Sequence, residues 1–413
     1  MNFGTDGIRS TDIDLLCTAG YQLGKAQQGK SKVVLAEDNR PTSRRIAKAV
    51  AGGLYAAGVD ILYGGVMTTP AVQYATKYLT ADAGIVVTAS HNVAKYNGLK
   101  YVDADGRKPS RDELEALSAA LDDGAPYREG ELPAVSDNLS KVYTEKFRHF
   151  GEIPLHIAVD CANGAAYPTI KRVFGQHKIE GVYLHHGDGK QINRDCGALH
   201  PEGLLQHKDV DMAFALDGDG DRCILVTANG RVVDGDGMLY LLAAYYTQKR
   251  VDVGGAIAST ILANGALSTA LSQLGLRLVR TDVGDSVVAQ AMRRNKLAIG
   301  GEPSGHILLD GEVADGIYTA LTIAQVALEY DLDALLAPYH PLPQYHTKVR
   351  LSEDVLRRAK TAAGKWQDYL ADTGRVVVRP SGTEPIVRIM VECASRTLAQ
   401  TIGDSIAQAA VTK

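Results

Sequence analysis

Met212–Arg222 reads MAFALDGDGDR: five apolar residues run directly into three aspartates separated by glycines. A short apolar run that ends in glycines is the pattern of a strand buried on both faces. In open α/β sheets, ligands sit outside the carboxyl ends of the strands. Asp217, Asp219 and Asp221 are therefore expected at a site rather than on a solvated turn. Three carboxylates so close repel one another when ionised, and hard oxygen donors of this kind suit Mg²⁺ or Ca²⁺. An EF-hand loop also begins with alternating acids, but it needs Gly at its sixth position and Glu at its twelfth. Arg222 and Ala228 stand there instead, which excludes it.

The same arrangement returns on either side. Ala83–Asn92 (AGIVVTASHN) is an apolar strand pattern that ends on Thr88, Ser90, His91 and Asn92. A serine beside a histidine at a strand end is a nucleophile candidate. Lys296–His306 (KLAIGGEPSGH) ends on Glu302, Ser304 and His306, a carboxylate, hydroxyl and imidazole able to bond sugar hydroxyls or an amine. A fourth loop, Arg379–Pro385 (RPSGTEP) with Arg388 beyond it, is rich in glycine and hydroxyls between two strand patterns. Successive backbone N–H groups in such a turn can nest an anion, and arginine adds two-pronged phosphate recognition.

Between these loops, β-branched runs alternate with helical periodicity, the mark of an α/β chain with parallel or mixed sheets. Strands are expected at Lys32–Asp38, Val59–Gly65, Leu155–Asp160, Met212–Leu216, Ala256–Thr260 and Leu297–Ile299. Helices are expected over Ser43–Ala57 and from about Pro70. Ala337–Gln344 carries three prolines in eight residues and reads as a linker. The tail beyond it reads as a small α+β unit: strands at Thr347–Leu351, Arg375–Arg379 and Ile386–Glu392, with a helix around Val355–Leu370. A further boundary falls near 140–150, after the polar segment from Asp122 to Asn138.

Composition narrows the function. With 44 Lys+Arg against 48 Asp+Glu the net charge is −4, and 45% of residues are hydrophobic. The chain lacks the basic field that nucleic acid or anionic lipid would need. No apolar run reaches the roughly 18 residues of a membrane span, and the first residues lack a secretory pattern. Cys17, Cys161, Cys196, Cys223 and Cys393 are scattered, with no CxxC, as expected of reduced thiols in a cytoplasmic protein. Gly24–Ser31 fits the P-loop expression GxxxxGK[ST], but a helix precedes it and a strand follows. That order is the reverse of what phosphate cradling requires, so a nucleotide site is not expected there. The GxSxG elbow of hydrolases is absent.

Taken together and in order, the four loops resemble the α-D-phosphohexomutase superfamily, and most closely its bacterial phosphoglucosamine branch. FGTDGIR (Phe3–Arg9), TTPAVQY (Thr68–Tyr74), VDCANGAAY (Val159–Tyr167), INRDCG (Ile192–Gly197) and VGD (Val283–Asp285) extend the likeness over nearly the whole chain. The resemblance implies three similar α/β domains with mixed sheets and a small α+β C-terminal domain around a central cleft. The limits expected are 1–145, 146–250, 251–340 and 341–413. It implies that Ser90 carries a transferable phosphoryl group. It also implies that Asp217, Asp219 and Asp221, with the Ser90 phosphate, hold one Mg²⁺ per chain. Glu302, Ser304 and His306 would meet the sugar; Arg379, Ser381, Gly382, Thr383 and Arg388 would hold its distal phosphate. Arg9, His91, Lys100 and Arg222 would line the reacting centre, with Lys100 or His91 taking the hydroxyl proton.

The activity implied is reversible exchange between glucosamine 6-phosphate and glucosamine 1-phosphate through a 1,6-bisphosphate. Ser90 would be primed by a sugar bisphosphate or by autophosphorylation, in a cytoplasmic monomer or homodimer. Phosphomannomutase or phosphoglucomutase activity on the same scaffold is the nearest alternative. An Asp-nucleophile phosphatase and a non-catalytic phosphosugar binder are the others. Two positions depart from the branch pattern: Val93 stands where proline is usual, and Ser286 where arginine is usual.

Overall fold

The computed structural model describes residues 3–4, 6–121, 126–309, 313–381 and 385–412. The first sheet comprises Ile8–Ser10 (β1), Lys32–Glu37 (β2), Asp60–Val66 (β3), Ala83–Val87 (β4) and Asn97–Val102 (β5), in the order β1-β5-β4-β2-β3. β2 runs parallel to β3 and β4, whereas β5 is antiparallel to β4 and β1. The second sheet repeats this plan with His156–Asp160 (β6), Glu180–Leu184 (β7), Met212–Leu216 (β8), Cys223–Thr227 (β9) and Val232–Val233 (β10). β6 is parallel to β7 and β8, and β9 turns back antiparallel to β8. The third has Ala256–Thr260 (β11) parallel to Arg277–Thr281 (β12) and Ile299–Gly301 (β13), with Ile307–Leu309 (β14) antiparallel to β13.

Each of these sheets thus has three parallel strands and one that reverses, and the first two carry a fifth strand, β1 or β10, antiparallel to the reversing one. The loop at the reversal is one of the three read from the sequence: β4–β5 carries Ser90, β8–β9 the three aspartates, and β13–β14 Glu302 and His306. The reversal arises because a hairpin-length connection can only join antiparallel strands. It forces each polar loop to the carboxyl end of a fully buried strand. The fourth sheet is all antiparallel, in the order Gln344–Arg350 (β15), Ile386–Cys393 (β17), Gly374–Pro380 (β16).

Two expectations shift. Gln344, read as linker, is the first residue of β15, because it pairs with Glu392 once the prolines are passed. The strand expected at Leu297–Ile299 lies at Ile299–Gly301 instead. The preceding helix Asp285–Asn295 ends on the left-handed Lys296, and only Gly300 and Gly301 reach register with β11. Antiparallel β1, β5, β9 and β14 were not anticipated individually. At Gly24–Ser31 the chain passes from the helix Ile13–Lys25 through a turn into β2, the order that excludes a phosphate cradle.

One continuous apolar core joins the first three sheets, running from Val34 and Val86 through Phe214 and Leu241 to Leu321 and Tyr339. The C-terminal sheet has a separate core of its own, built on Ala359, Val391, Ile402 and Ile406. Among the described residues no helix is long and apolar enough to cross a membrane, and all five cysteines are free and buried.

Candidate active site

Ser90 sits in the left-handed region at φ 50°, a conformation that costs a non-glycine residue on the order of 1–3 kcal/mol unless its surroundings enforce it. They do. The Ser90 N–H donates to Thr88 Oγ1 (2.9 Å), and its carbonyl accepts from Arg40 Nη2 (2.9 Å) and Asn193 Nδ2 (2.8 Å). Arg40 also donates to the carbonyls of Asn92, Val93 and Tyr96, and its own charge is met by Asp38 at 2.8 Å with both side chains fully buried. Asp38 in turn accepts from Thr88 Oγ1 and Ser43 Oγ. Val93 takes part only through its carbonyl oxygen, so this network places no demand for proline there.

The Ser90 hydroxyl points at the second sheet's loop and donates to Asp217 Oδ2 at 2.9 Å. The two loops approach so closely that a Cβ on Gly218 would lie 2.6 Å from the Ser90 carbonyl oxygen and 2.7 Å from Asn193 Nδ2. Only glycine fits between the first and second aspartates. Carboxylate oxygens of Asp217, Asp219 and Asp221 all lie within 4.8 Å of one another, and all three residues are buried. Lys100, on β5, donates to Asp219 Oδ2 (2.5 Å) and Asp221 Oδ2 (2.8 Å). Thr69, at the start of the helix Thr69–Tyr78, also donates to Asp219 Oδ2. Asp219 Oδ1 is buried without a partner, an arrangement that is expensive unless something else satisfies it.

Charge follows this packing. Burial and the neighbouring Asp221 and Asp219 push Asp217 up to about 7. Burial acts on Asp221 in the same sense, but Lys100 and His306 outweigh it and hold that carboxyl well below the usual range. Burial lowers the Lys100 ammonium, yet Asp219 and Asp221 raise it above its ordinary value. Burial, then Arg222 and Arg9, bring His91 down to about 2, so its ring is neutral 3.4 Å from Ser90 Oγ. Arg9 reaches the same loop by donating to Asn92 Oδ1 at 2.7 Å.

The third loop joins directly. His306 Nε2 lies 3.1 Å from Asp221 Oδ1 and its Nδ1 2.8 Å from Glu302 Oε2, with Ser304 Oγ 3.3 Å from the same nitrogen. Burial lowers His306, but Asp221 prevails and raises it to about 10. Arg222 Nε lies 3.3 Å from His306 Nε2. From here a cavity of about 470 Å³ runs to the fourth sheet, lined by Glu302, Ser304 and His306 at one side and by Arg379, Ser381 and Arg388 at the other. Arg379 Nε is buried with no hydrogen-bond partner. Burial and then Arg388 pull its guanidinium below the ordinary value, and His346 beside them is lowered by burial and both arginines. Cations clustered along a cavity wall are able to accept an anion. Gly382 and Thr383 lie outside the described residues.

The sequence reading missed Arg40, Asn193, Thr69 and the Lys108 bridge, in which Lys108 binds Asp6 (2.5 Å) and Asp285 (2.6 Å) across the first and third units. Asp38 and Arg40 follow β2 at its carboxyl end, so the rule applied to the other loops would have found them. Ser286, beside Asp285, donates its N–H to that carboxylate and lines the cavity around Lys108.

Three reversing α/β units, an antiparallel fourth, and a cleft with a serine–carboxylate end and an arginine end define an enzyme of phosphosugar transfer, of the intramolecular phosphotransferase class. Family models described as phosphoglucomutase/phosphomannomutase match this chain as alpha/beta/alpha domain I over residues 1–128, alpha/beta/alpha domain III over 234–341, and the C-terminal domain over 347–409. The chain belongs to the phosphoglucomutase/phosphomannomutase family. The span of the domain III model takes in the helix Gly235–Gln248. A phosphoglucosamine mutase of Halorhodospira halophila is 38% identical, the match covering 98% of this chain and 95% of the relative. One from Pelotomaculum thermopropionicum is also 38% identical, covering 94% of each. Among solved structures, a phosphoglucomutase/phosphomannomutase family protein from Burkholderia thailandensis superposes with a TM-score of 0.81 at 26% identity, over 98% of this chain and 97% of that one. Aspergillus fumigatus N-acetylphosphoglucosamine mutase, solved with GlcNAc-6P and magnesium, shares the fold at a TM-score of 0.70 and 19% identity, over 100% of this chain and 96% of that one.

Proposed function

We propose that this chain interconverts glucosamine 6-phosphate and glucosamine 1-phosphate, with Ser90 as the phosphoryl carrier. The observation that carries the reading is Ser90 Oγ hydrogen-bonded to Asp217 inside a buried three-carboxylate cluster. The names of its whole-chain relatives support the choice of sugar.

Asp217, Asp219 and Asp221 fit a hard divalent cation. They offer only oxygen donors, and Asp219 Oδ1 lacks a partner. Bound there, Mg²⁺ would offset their charge and polarise the P–O bonds of a phosphate on Ser90. The remaining chemistry belongs to the chain. The loop around Ser90 is fixed before substrate arrives, so the hydroxyl of a bound sugar meets a phosphorus already in position. Lys100 and Arg222 stabilise charge on the transferring oxygens. A hydroxyl approaching Ser90 meets two candidate bases: Lys100, which here is a cation shared by two carboxylates, and His91, whose ring is held neutral by burial and by Arg222 and Arg9.

Glu302, Ser304 and His306 would hold the sugar's hydroxyls and amine, while Arg379, Ser381, Gly382, Thr383 and Arg388 would hold the non-reacting phosphate. After transfer to O1, the bisphosphate would turn round in the cleft and return its O6 phosphoryl group to Ser90. One Mg²⁺ per chain, priming by a sugar 1,6-bisphosphate or by autophosphorylation, and a cytoplasmic setting complete this reading.

The test is a substrate panel with Mg²⁺: glucosamine, N-acetylglucosamine, glucose and mannose phosphates. The reading expects glucosamine 6-phosphate to give the highest kcat/KM. If it is the poorest substrate, the sugar assignment fails.

A further inference from the structure

A second cluster of metal-binding side chains lies in the second unit, outside the cleft. Ligand atoms of Asp160, His185 and Cys196 fall within 4.8 Å of one another. Asp160 is the last residue of β6, His185 follows the end of β7, and Cys196 sits before the short 3₁₀ turn Gly197–Leu199. We propose that these three side chains form a binding site for a borderline-soft divalent transition-metal ion, Zn²⁺ being the type case. The proposal is independent of the reading of the cleft.

The donor set separates the two centres. Carboxylate, imidazole and thiolate are the ligands Zn²⁺ takes in tetrahedral sites, with water in an open position where only three protein ligands are present. Mg²⁺, which demands oxygen, suits the three aspartates and not this trio. Asp160 is only 1% exposed, and its only ion-pair partner among the described residues is His185, at 3.0 Å. A buried carboxylate matched by one half-exposed imidazole and faced by a thiol is short of positive charge. An ion would lie between Asp160 Oδ2 and His185 Nδ1, a ring proton at Nδ1 passing to Nε2.

The carboxylate is already oriented. Its Oδ1 accepts from the Ala162 N–H and its Oδ2 from the Gly197 N–H, both at 2.8 Å, the kind of outer contact that holds a ligating group in place. The His185 side chain is 45% exposed, so its ring can swing to close the site and ions can enter from solvent. Cys196 is buried, and burial with Asp160 and Asp195 nearby raises its thiol to about 12. Binding therefore exchanges one S–H bond for one metal–sulfur bond, and the thiol proton leaves to solvent.

The loop that carries Cys196 also carries Asn193, whose amide donates to the carbonyls of Ser90 (2.8 Å) and Asn92 (2.9 Å). An ion at Cys196 would tie the ends of β6 and β7 to the segment that steadies the serine loop.

The test titrates Co²⁺ into the full chain at saturating Mg²⁺, where carboxylate-bound cobalt gives no thiolate band. We expect a near-ultraviolet thiolate-to-cobalt band that saturates at one ion per chain and is displaced by Zn²⁺. Cys196→Ser should abolish the band. His185→Asn should weaken cobalt binding by at least about tenfold; asparagine suits the left-handed backbone at this half-exposed position (φ 44°). Circular dichroism before metal addition checks that each variant is folded, and His185→Asn decides if Cys196→Ser is not. The proposal is overturned if the full chain gives no band, if the band survives Cys196→Ser, or if His185→Asn leaves the midpoint unchanged.

Discussion

At one end of the cleft Ser90, Lys100 and three aspartates are each no more than 5% exposed, held by a hydrogen bond to Thr88 and by others from Arg40, Asn193, Thr69 and Lys100. At the other, Arg388 is exposed, Arg379 is half-buried with Nε unpartnered, and the sheet that bears them has its own core. The serine end belongs to the continuous core of the first three units. The arginine end is joined to the third unit mainly through polar contacts: Arg375 bonds Glu392 and the Ile261 carbonyl, and Glu392 accepts from the Gly265 N–H. Rigid placement serves bond-making, where small displacements are costly. A separately cored, polar-seated unit can follow a phosphate that must swap ends.

The largest effect expected on that contrast comes from Ser90→Ala. Turnover of glucosamine 6-phosphate should fall by at least about 10³-fold, because the hydroxyl proposed to carry the phosphoryl group is gone. Chelation should silence the rigid end almost as fully, with Mg²⁺ restoring the rate; activity that survives EDTA would mean the aspartates serve structure alone. Arg40→Met leaves Asp38 buried without its counter-ion and should cost about 3–5 kcal/mol in urea denaturation. A loss within experimental error would show that the serine loop needs no such clamp.

At the other end, Arg379→Ala should raise KM by about 10–100-fold with kcat changed by only a few-fold, as expected for a residue that binds rather than reacts. An equal fall in kcat would erase the distinction drawn between the two ends.

The smallest effect concerns the seat of the fourth unit. Asp236 accepts from the Asn264 N–H at 2.7 Å, and burial, then Asp234, push its carboxyl up to about 8. The folded state therefore holds a proton that the unfolded state releases near pH 4, so this group lowers stability progressively as pH rises from about 4 to 8. Thermal melts should show a smaller decline between pH 6 and 8 for Asp236→Asn than for the unaltered chain.

Where local pattern decides structure, the sequence was readable. Met212–Leu216 and Ala256–Thr260 are strands at the limits expected, and the three reversal loops announced themselves as polar runs after apolar strands. Ser90, His91, Lys100, Arg222, Glu302 and His306 come together with the aspartates because each lies at or beside such a reversal. Asn193 was illegible for the opposite reason: it follows no strand directly, and its partner Ser90 lies 103 residues away. The short antiparallel strands escaped notice because β14 is three residues long and β5 (NGLKYV) opens on Asn-Gly, which reads as a turn.

The central claim is that residue 90 is the phosphoryl carrier. Incubating the full chain with Mg²⁺ and glucose 1,6-bisphosphate, then mapping the modified peptide by mass spectrometry, tests it most directly. The account predicts one phosphoryl group on Ser90 which, introduced with an isotopic label, passes to the sugar when unlabelled glucosamine 6-phosphate is added, while Ser90 stays phosphorylated. Label on Asp217 or Asp219 instead, or full turnover with Ser90 unmodified throughout, would contradict it.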